Sequence, residues 1–159
     1  MHITSPVFEN NSFIPQKYSC EGEGICPPLI ISNVLDNTKS LALIVDDPDS
    51  IHGLFAHWIV FNISPQIKML ENSKLPEGAK EGVNGARNLG WISPCPPKNT
   101  GVHHYRFKLF ALDALLDLPK GVTQEELERE ITKYTIDKAE LIGLYQNSQN
   151  KSSILTGFK

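Results

Sequence analysis

The amino-acid sequence predicts a mainly β protein. Three observations carry this: four apolar or alternating runs rich in β-formers, turn-forming residues between them, and one segment with clear helical periodicity. The runs are "LIISNV" (29–34), "LALIV" (41–45), "FAHWIVFNI" (55–63) and "HHYRFKLFALD" (103–113). The last alternates, with Tyr105, Phe107, Leu109 and Ala111 on one face and Arg106, Lys108 and Phe110 on the other. Between the runs lie "CEGEGICPP", "DNTKS", "SKLPEGAKEGVNGARNLG" and "SPCPPKNTG". Such Gly- and Pro-rich stretches interrupt pairing and suit a β architecture with long functional loops.

The convincing helix lies in "GVTQEELEREITKY" (121–134). Thr123 and Glu126 make a capping-box pair, and the acidic first turn complements the helix dipole. Leu127, Ile131 and Tyr134 then form an i, i+4, i+7 apolar stripe. "DKAELIGLYQN" (137–147) reads either as a second helix or as a closing strand; Gly143 and the Ile142–Leu144–Tyr145 cluster favour the strand. With 159 residues and no repeat or linker, the chain is expected to be one domain over 1–159. Its polar tail, 148–159, is expected to be loosely held.

A formal charge of −3 argues against a nucleic-acid partner, which would favour a basic face. No apolar run is long enough for a transmembrane segment, and "MHITSPVFEN" lacks the basic start and apolar centre of a secretory signal. The expected location is therefore cytoplasmic. Three cysteines at no metal spacing read as reduced thiols of such a protein. The alternative is a redox clip between two of them. Cys26 precedes Pro27–Pro28 and Cys95 precedes Pro96–Pro97, so both sit in similar stiff loops.

The chemistry-bearing residues stand at strand mouths. The run 41–45 feeds into Asp46, Asp47, Pro48 and Asp49. Pro48 ends the pairing and biases Asp47 towards an extended conformation, so the Asp47 carboxylate projects in a nearly fixed direction. His57 heads the next apolar run. His103 and Tyr105 share a face at the start of another, directly after a Pro-rich loop, while His104 points the other way. Strands entering from one edge would gather Asp47, Asp49, His57, His103 and Tyr105 around one mouth walled by Pro96 and Pro97. Such a cluster suits three kinds of work: anion binding by charged imidazoles and a phenol, a divalent metal for hydrolysis, or a buried polar network. No Ser sits on a G-x-S-x-G elbow, so nucleophilic catalysis is the weakest case.

The order D-P-D, then H-W-I-V-F-N, then P-P-K-x-T-G-x-H-x-Y resembles the phosphatidylethanolamine-binding protein family, also called Raf kinase inhibitor-like proteins. The likeness is closest to its compact YbhB/YbcL-type branch. "KYSCEGEGICPPLI", "KLPEGAKEGVNGARNLGW", "HYRFKLFALD" and "AELIGLYQ" extend it over roughly residues 5–146. The resemblance implies a large central antiparallel sheet packed on a smaller one, with one or two peripheral helices. It also implies an edge cavity for phosphate-like anions, such as a phosphoethanolamine head group. Position by position it assigns ligand binding to Asp47, Asp49, His57, Pro96, Pro97, Gly101, His103 and Tyr105, with Cys95 beside the prolines. It implies no cofactor and no catalysis, but a phosphate-bearing small molecule or phosphorylated group as partner, a role in modulating kinases or proteases, and a monomer or homodimer. The family's D-P-D-x-P ends here in Ile51, which softens that turn. Its H-R-Y carries His104 in place of Arg, on the side away from the cavity, where a loop-bracing contact is at stake.

Overall fold

The computed structural model describes residues 1–148; the tail from 149 onward lies outside the described residues. The strands, in chain order, are β1 (His2–Thr4), β2 (Ser12–Phe13), β3 (Leu29–Ser32), β4 (Ser40–Asp47), β5 (Phe55–Ile63), β6 (Met69–Leu70), β7 (Lys80–Glu81), β8 (His103–Leu112) and β9 (Thr135–Tyr145). One α-helix, α1 (Gln124–Tyr134), precedes β9. Six strands form the large sheet in the order β2-β9-β8-β4-β5-β7, and β1-β3-β6 form the small one. All pairings are antiparallel except β2 with β9, a two-residue parallel addition at the edge. This is the mainly β, two-sheet architecture expected.

The apolar runs become strands because the large sheet is covered on both faces. Leu41, Leu43 and Val45 of β4 point between the sheets, beside Ile3, Leu29 and Ile31 from the small sheet. Ala42 and Ile44 point the other way, into a second cluster with Leu127 and Ile131 of α1. Strand β4 is buried along its whole length, which accounts for the unbroken apolar run at 41–45. In β8 the alternation is as expected: Tyr105, Phe107, Leu109 and Ala111 face the inter-sheet core. Opposite them, Arg106 Nε and Lys108 Nζ each lie 2.7 Å from the fully buried Asp46 carboxylate. Gln124 at the start of α1 donates to the same carboxylate.

The capping box of α1 forms as read: the Thr123 side chain accepts from Glu126 N–H, and the Glu126 side chain accepts from Thr123 N–H. The segment read as helix or strand is the strand β9, which starts directly at the helix C-cap, Thr135. In the other direction, the run 29–34 stops early. Asn33 has φ +55°, a left-handed turn that ends β3 at Ser32.

The cysteine expectations are corrected. Cys20 and Cys95 form a disulfide, with Cα atoms 5.3 Å apart. Cys26 is not the partner of Cys95: it is buried in the inter-sheet core, where desolvation pushes its thiol pKa up. A thiol held neutral among apolar groups packs as a small hydrophobe and is unreactive.

Two substitutions test this architecture by urea titration. Leu43→Ala, which empties a fully buried position, should cost about 2–5 kcal/mol. Thr123→Ala, which removes only the cap, should cost about 1 kcal/mol. Equal costs would contradict the full burial of Leu43 between the sheets.

Candidate functional site

One end of the large sheet carries the end of β4, the starts of β5 and β8, and the end of β9. A cavity of about 310 Å³ opens there, lined among others by Asp47, His57, Pro96, Pro97, His103 and Tyr105. Sequence reasoning brought these six together, and the fold places them on one wall or another of the same space. Asp49 and Gly101 are not among its lining residues.

The D-P-D turn works through hydrogen bonds. Asp47 Oδ1 accepts from the Asp49 N–H at 2.8 Å, an Asx-type turn that sets the carboxylate. Asp47 Oδ2 accepts from His103 Nδ1 at 2.7 Å, and both side chains are buried. On the other side of the ring, His103 Nε2 lies 2.9 Å from Thr100 Oγ1. Thr100 gives its hydroxyl proton to the Pro97 carbonyl at 2.7 Å, which leaves its oxygen to accept from the ring. The His103 ring is thereby fixed between a buried carboxylate on one side and the proline loop on the other. Gly101, at φ +75°, supplies the left-handed turn between Thr100 and the strand.

Asp49 does different work. Its Oδ2 accepts from both the backbone N–H and the ring Nδ1 of His104, at 2.8 and 2.7 Å. Burial acts to raise the Asp49 pKa, but the bonds from His104 outweigh it and hold the carboxyl below its ordinary value. His104 therefore braces the D-P-D turn through its ring and its backbone.

His57 reaches the cavity through a β-bulge. Val45 pairs with Trp58 and Asp46 with Ala56, so His57 is the extra residue on β5. Ala56 and Ile59 face the helix side, while Trp58 faces the core between the sheets. The bulge puts the His57 ring on the same side as Trp58, 5.1 Å from the Tyr105 ring in an edge-on contact. His57 Nδ1 donates to the Ile92 carbonyl at 2.8 Å, and Ile92 N–H donates back to the His57 carbonyl at 2.9 Å. Nε2 is thereby left towards the cavity. Burial lowers the His57 pKa, against the opposing hydrogen bond to Ile92 and the Asp47 charge. The unliganded ring is held neutral by this desolvation.

Tyr105 sits between the two histidines, its ring stacked on His103 at 6.4 Å. Burial and the Asp47 carboxylate both raise its pKa, so it stays a phenol and a donor. Among the described residues, neither the Tyr105 hydroxyl nor His57 Nε2 has a hydrogen-bond partner. The far wall is apolar, with Phe55, Ile92 and the two prolines. Phe55 is seated over Gly85, where a Cβ would lie 2.4 Å from the ring.

Sequence reasoning missed Thr100, Ile92, Phe55 and the exposed His52 of the rim. Thr100 was discoverable, as a hydroxyl three residues before His103. Ile92 acts through its backbone, and no side-chain pattern encodes that.

The His57 geometry predicts a pH signature. The folded protein binds a proton at His57 less readily than the unfolded chain, whose pKa is about 6.5. The stability from the neutral ring is then full above about pH 6.5 and lost as pH falls towards the depressed folded value. In urea titrations across this range, wild type should lose stability relative to His57→Gln as pH decreases. Parallel profiles would contradict the assignment.

Known proteins share this architecture. The family model described as phosphatidylethanolamine-binding protein matches residues 4–146. A Pyrococcus horikoshii relative, known as a UPF0098 protein, is 47% identical over 148 residues, covering 89% of this chain and 75% of its own. The crystal structure of a phosphatidylethanolamine-binding protein homologue from Chlamydia trachomatis superposes with a TM-score of 0.86 at 42% identity, over 92% of this chain and 97% of that one. That of Escherichia coli YbcL gives 0.85 at 29% identity, over 92% and 98%. The motifs, the two-sheet fold and these matches agree, and the chain belongs to the phosphatidylethanolamine-binding protein family.

Proposed function

We propose that this protein is a non-enzymatic binding protein whose edge cavity holds a small phosphate-type anion, such as phosphate or a phosphoethanolamine group. The observation that carries this reading is the pair of unpartnered polar groups, Tyr105 Oη and His57 Nε2, directed at one cavity beside the buried His103–Asp47 pair. The phenol donates as it stands. His57 donates from Nε2 only once protonated, and an anion beside it favours that form. Binding above the free ring's pKa is thus coupled to uptake of one proton. Asp47 does not meet the anion as a lone carboxylate would, because its two oxygens are taken by the Asp49 N–H and the His103 ring. Asp47, His57, His103 and Tyr105 are the proposed binding residues, with Pro96 and Pro97 as wall; Asp49 and Gly101 support the loops.

A phosphorylated side chain of a protein partner would present the same oxygens, and this is the proposed route to modulation of a kinase or protease. The metal-dependent hydrolase reading is less well supported. Both Asp47 oxygens and both His103 nitrogens are engaged within the protein. Among the described residues, no group of three or more His, Cys, Asp or Glu side chains is placed to hold a metal ion. No described helix is long and apolar enough to cross a membrane. The proposed cytoplasmic location carries a condition, because cytosolic thiols oppose disulfides such as Cys20–Cys95.

Thermal-shift titrations with phosphate and O-phosphoethanolamine, at about pH 6 and about pH 8, test the reading. Sulfate, whose charge is constant over that range, isolates protonation of the protein. Wild type should show a saturable rise in Tm of roughly 5–10 °C at a hundredfold excess over Kd. The rise should be larger at the lower pH and absent in His57→Ala and Asp47→Asn. No shift at either pH overturns the proposal.

A further inference from the structure

The cavity rim contains a bond that its binding chemistry does not use. Cys95 lines the cavity and is followed by the wall residues Pro96 and Pro97. Its partner, Cys20, lies in the neighbouring loop, and both cysteines are exposed. Two hydrogen bonds hold that loop to the earlier part of the rim: Cys20 N–H to the Pro94 carbonyl at 3.0 Å, and Trp91 Nε1 to the Gly24 carbonyl at 2.8 Å. Behind the loop, the Tyr145 hydroxyl accepts from Ser19 Oγ at 2.8 Å and donates to Glu21 at 2.6 Å, so the residues on both sides of Cys20 are anchored. The disulfide transfers that anchorage to the proline lip. Beyond Pro94, the lip is also tied by Asn147 to the Pro96 carbonyl at 3.4 Å and by Thr100 to the Pro97 carbonyl at 2.7 Å.

We infer that Cys20–Cys95 is a thiol-exchangeable latch that couples the redox state of the protein to ligand affinity at the cavity. This rests on the anion-binding reading above. When the bond opens, the flanking hydrogen bonds keep residues 91–94 in place and the Pro96–Pro97 lip gains freedom. Movement at Pro97 reaches the ligand site by a short route. The Pro97 carbonyl holds the Thr100 hydroxyl, which holds His103 Nε2, and the other ring nitrogen holds Asp47. The closed latch preorganises this chain, and ordering the lip on binding then costs less.

The chemistry requires an external dithiol. Its thiolate attacks one sulfur of the bond between these two exposed residues, forming a mixed disulfide and releasing the other cysteine as a thiol. The second reductant thiol then displaces the protein sulfur. The products are Cys20 and Cys95 thiols and an oxidised reductant, with two electrons and two protons transferred to the protein. Cys26 is buried and cannot act as an internal resolving thiol. Reciprocity follows: a ligand that prefers the latched form must make the bond harder to reduce by the same factor.

The test uses intact protein with inorganic phosphate as probe, in oxidising buffer and in dithiothreitol. Alkylation and mass spectrometry count the free thiols under native conditions. Reduction should free Cys20 and Cys95 but not Cys26, and weaken phosphate binding by about fivefold or more. Cys20→Ser/Cys95→Ser should bind like reduced wild type and ignore the reductant. Saturating phosphate should lower the midpoint potential of wild type by about 20 mV for a fivefold effect. Equal affinity in the two redox states removes the latch alone, as does a bond that is reduced only after unfolding. Failure of the oxidised wild type to bind phosphate removes the binding reading, and the latch with it.

Discussion

The buried pair of Asp47 and His103 is the contact on which the working end of this protein depends. Each belongs to a different strand of the large sheet, at the end of β4 and the start of β8. Buried polar groups are stable only when their hydrogen bonds are filled. Here Asp47 takes the Asp49 N–H and the His103 ring, whose other nitrogen meets the Thr100 hydroxyl. One buried pair thus fixes the D-P-D turn, the tip of the proline loop and one wall of the cavity together.

His57 is placed by a different device. A regular β5 would have turned it, like Ile59, towards the helix and away from this cavity. The bulge opposite Val45 and Asp46 reverses that side, and the mutual bonding with Ile92 fixes the ring. Preorganisation of this kind comes from backbone geometry. Burial in this position holds the pKa of the ring down. The two histidines are thus held by different partners despite their proximity, His57 by a peptide carbonyl and His103 by a carboxylate.

Much of the fold was legible because burial writes directly into sequence. The unbroken run of β4, the alternation of β8 and the cap of α1 each follow from a local pattern. The gathering of candidate residues at one cavity was legible where a side chain carries the signal, as with Asp47, His57, His103 and Tyr105. It was not legible where the work is relational. No spacing rule reveals that Cys95 meets Cys20 across 75 residues while Cys26, in a similar Pro-rich setting, packs into the core. The separation of Asp49 from Asp47 is likewise set by which neighbour, His104 or His103, each meets in space. The role of Ile92 lies wholly in its peptide group.

The junction between helix and sheet has a wider implication. β9 runs for 11 residues at the side of the large sheet, yet β2 pairs with only two of them, Gly143 and Leu144. The portion nearer α1 carries Asp137, Lys138 and Glu140, and the chain's amino terminus forms an ion pair with Asp137 at 2.8 Å. Charged side chains along a strand edge make pairing with another molecule's strand electrostatically and sterically poor. At the opposite side, β7 is only two residues long and begins with Lys80. Both features work against the large sheet growing strand by strand from one molecule to the next.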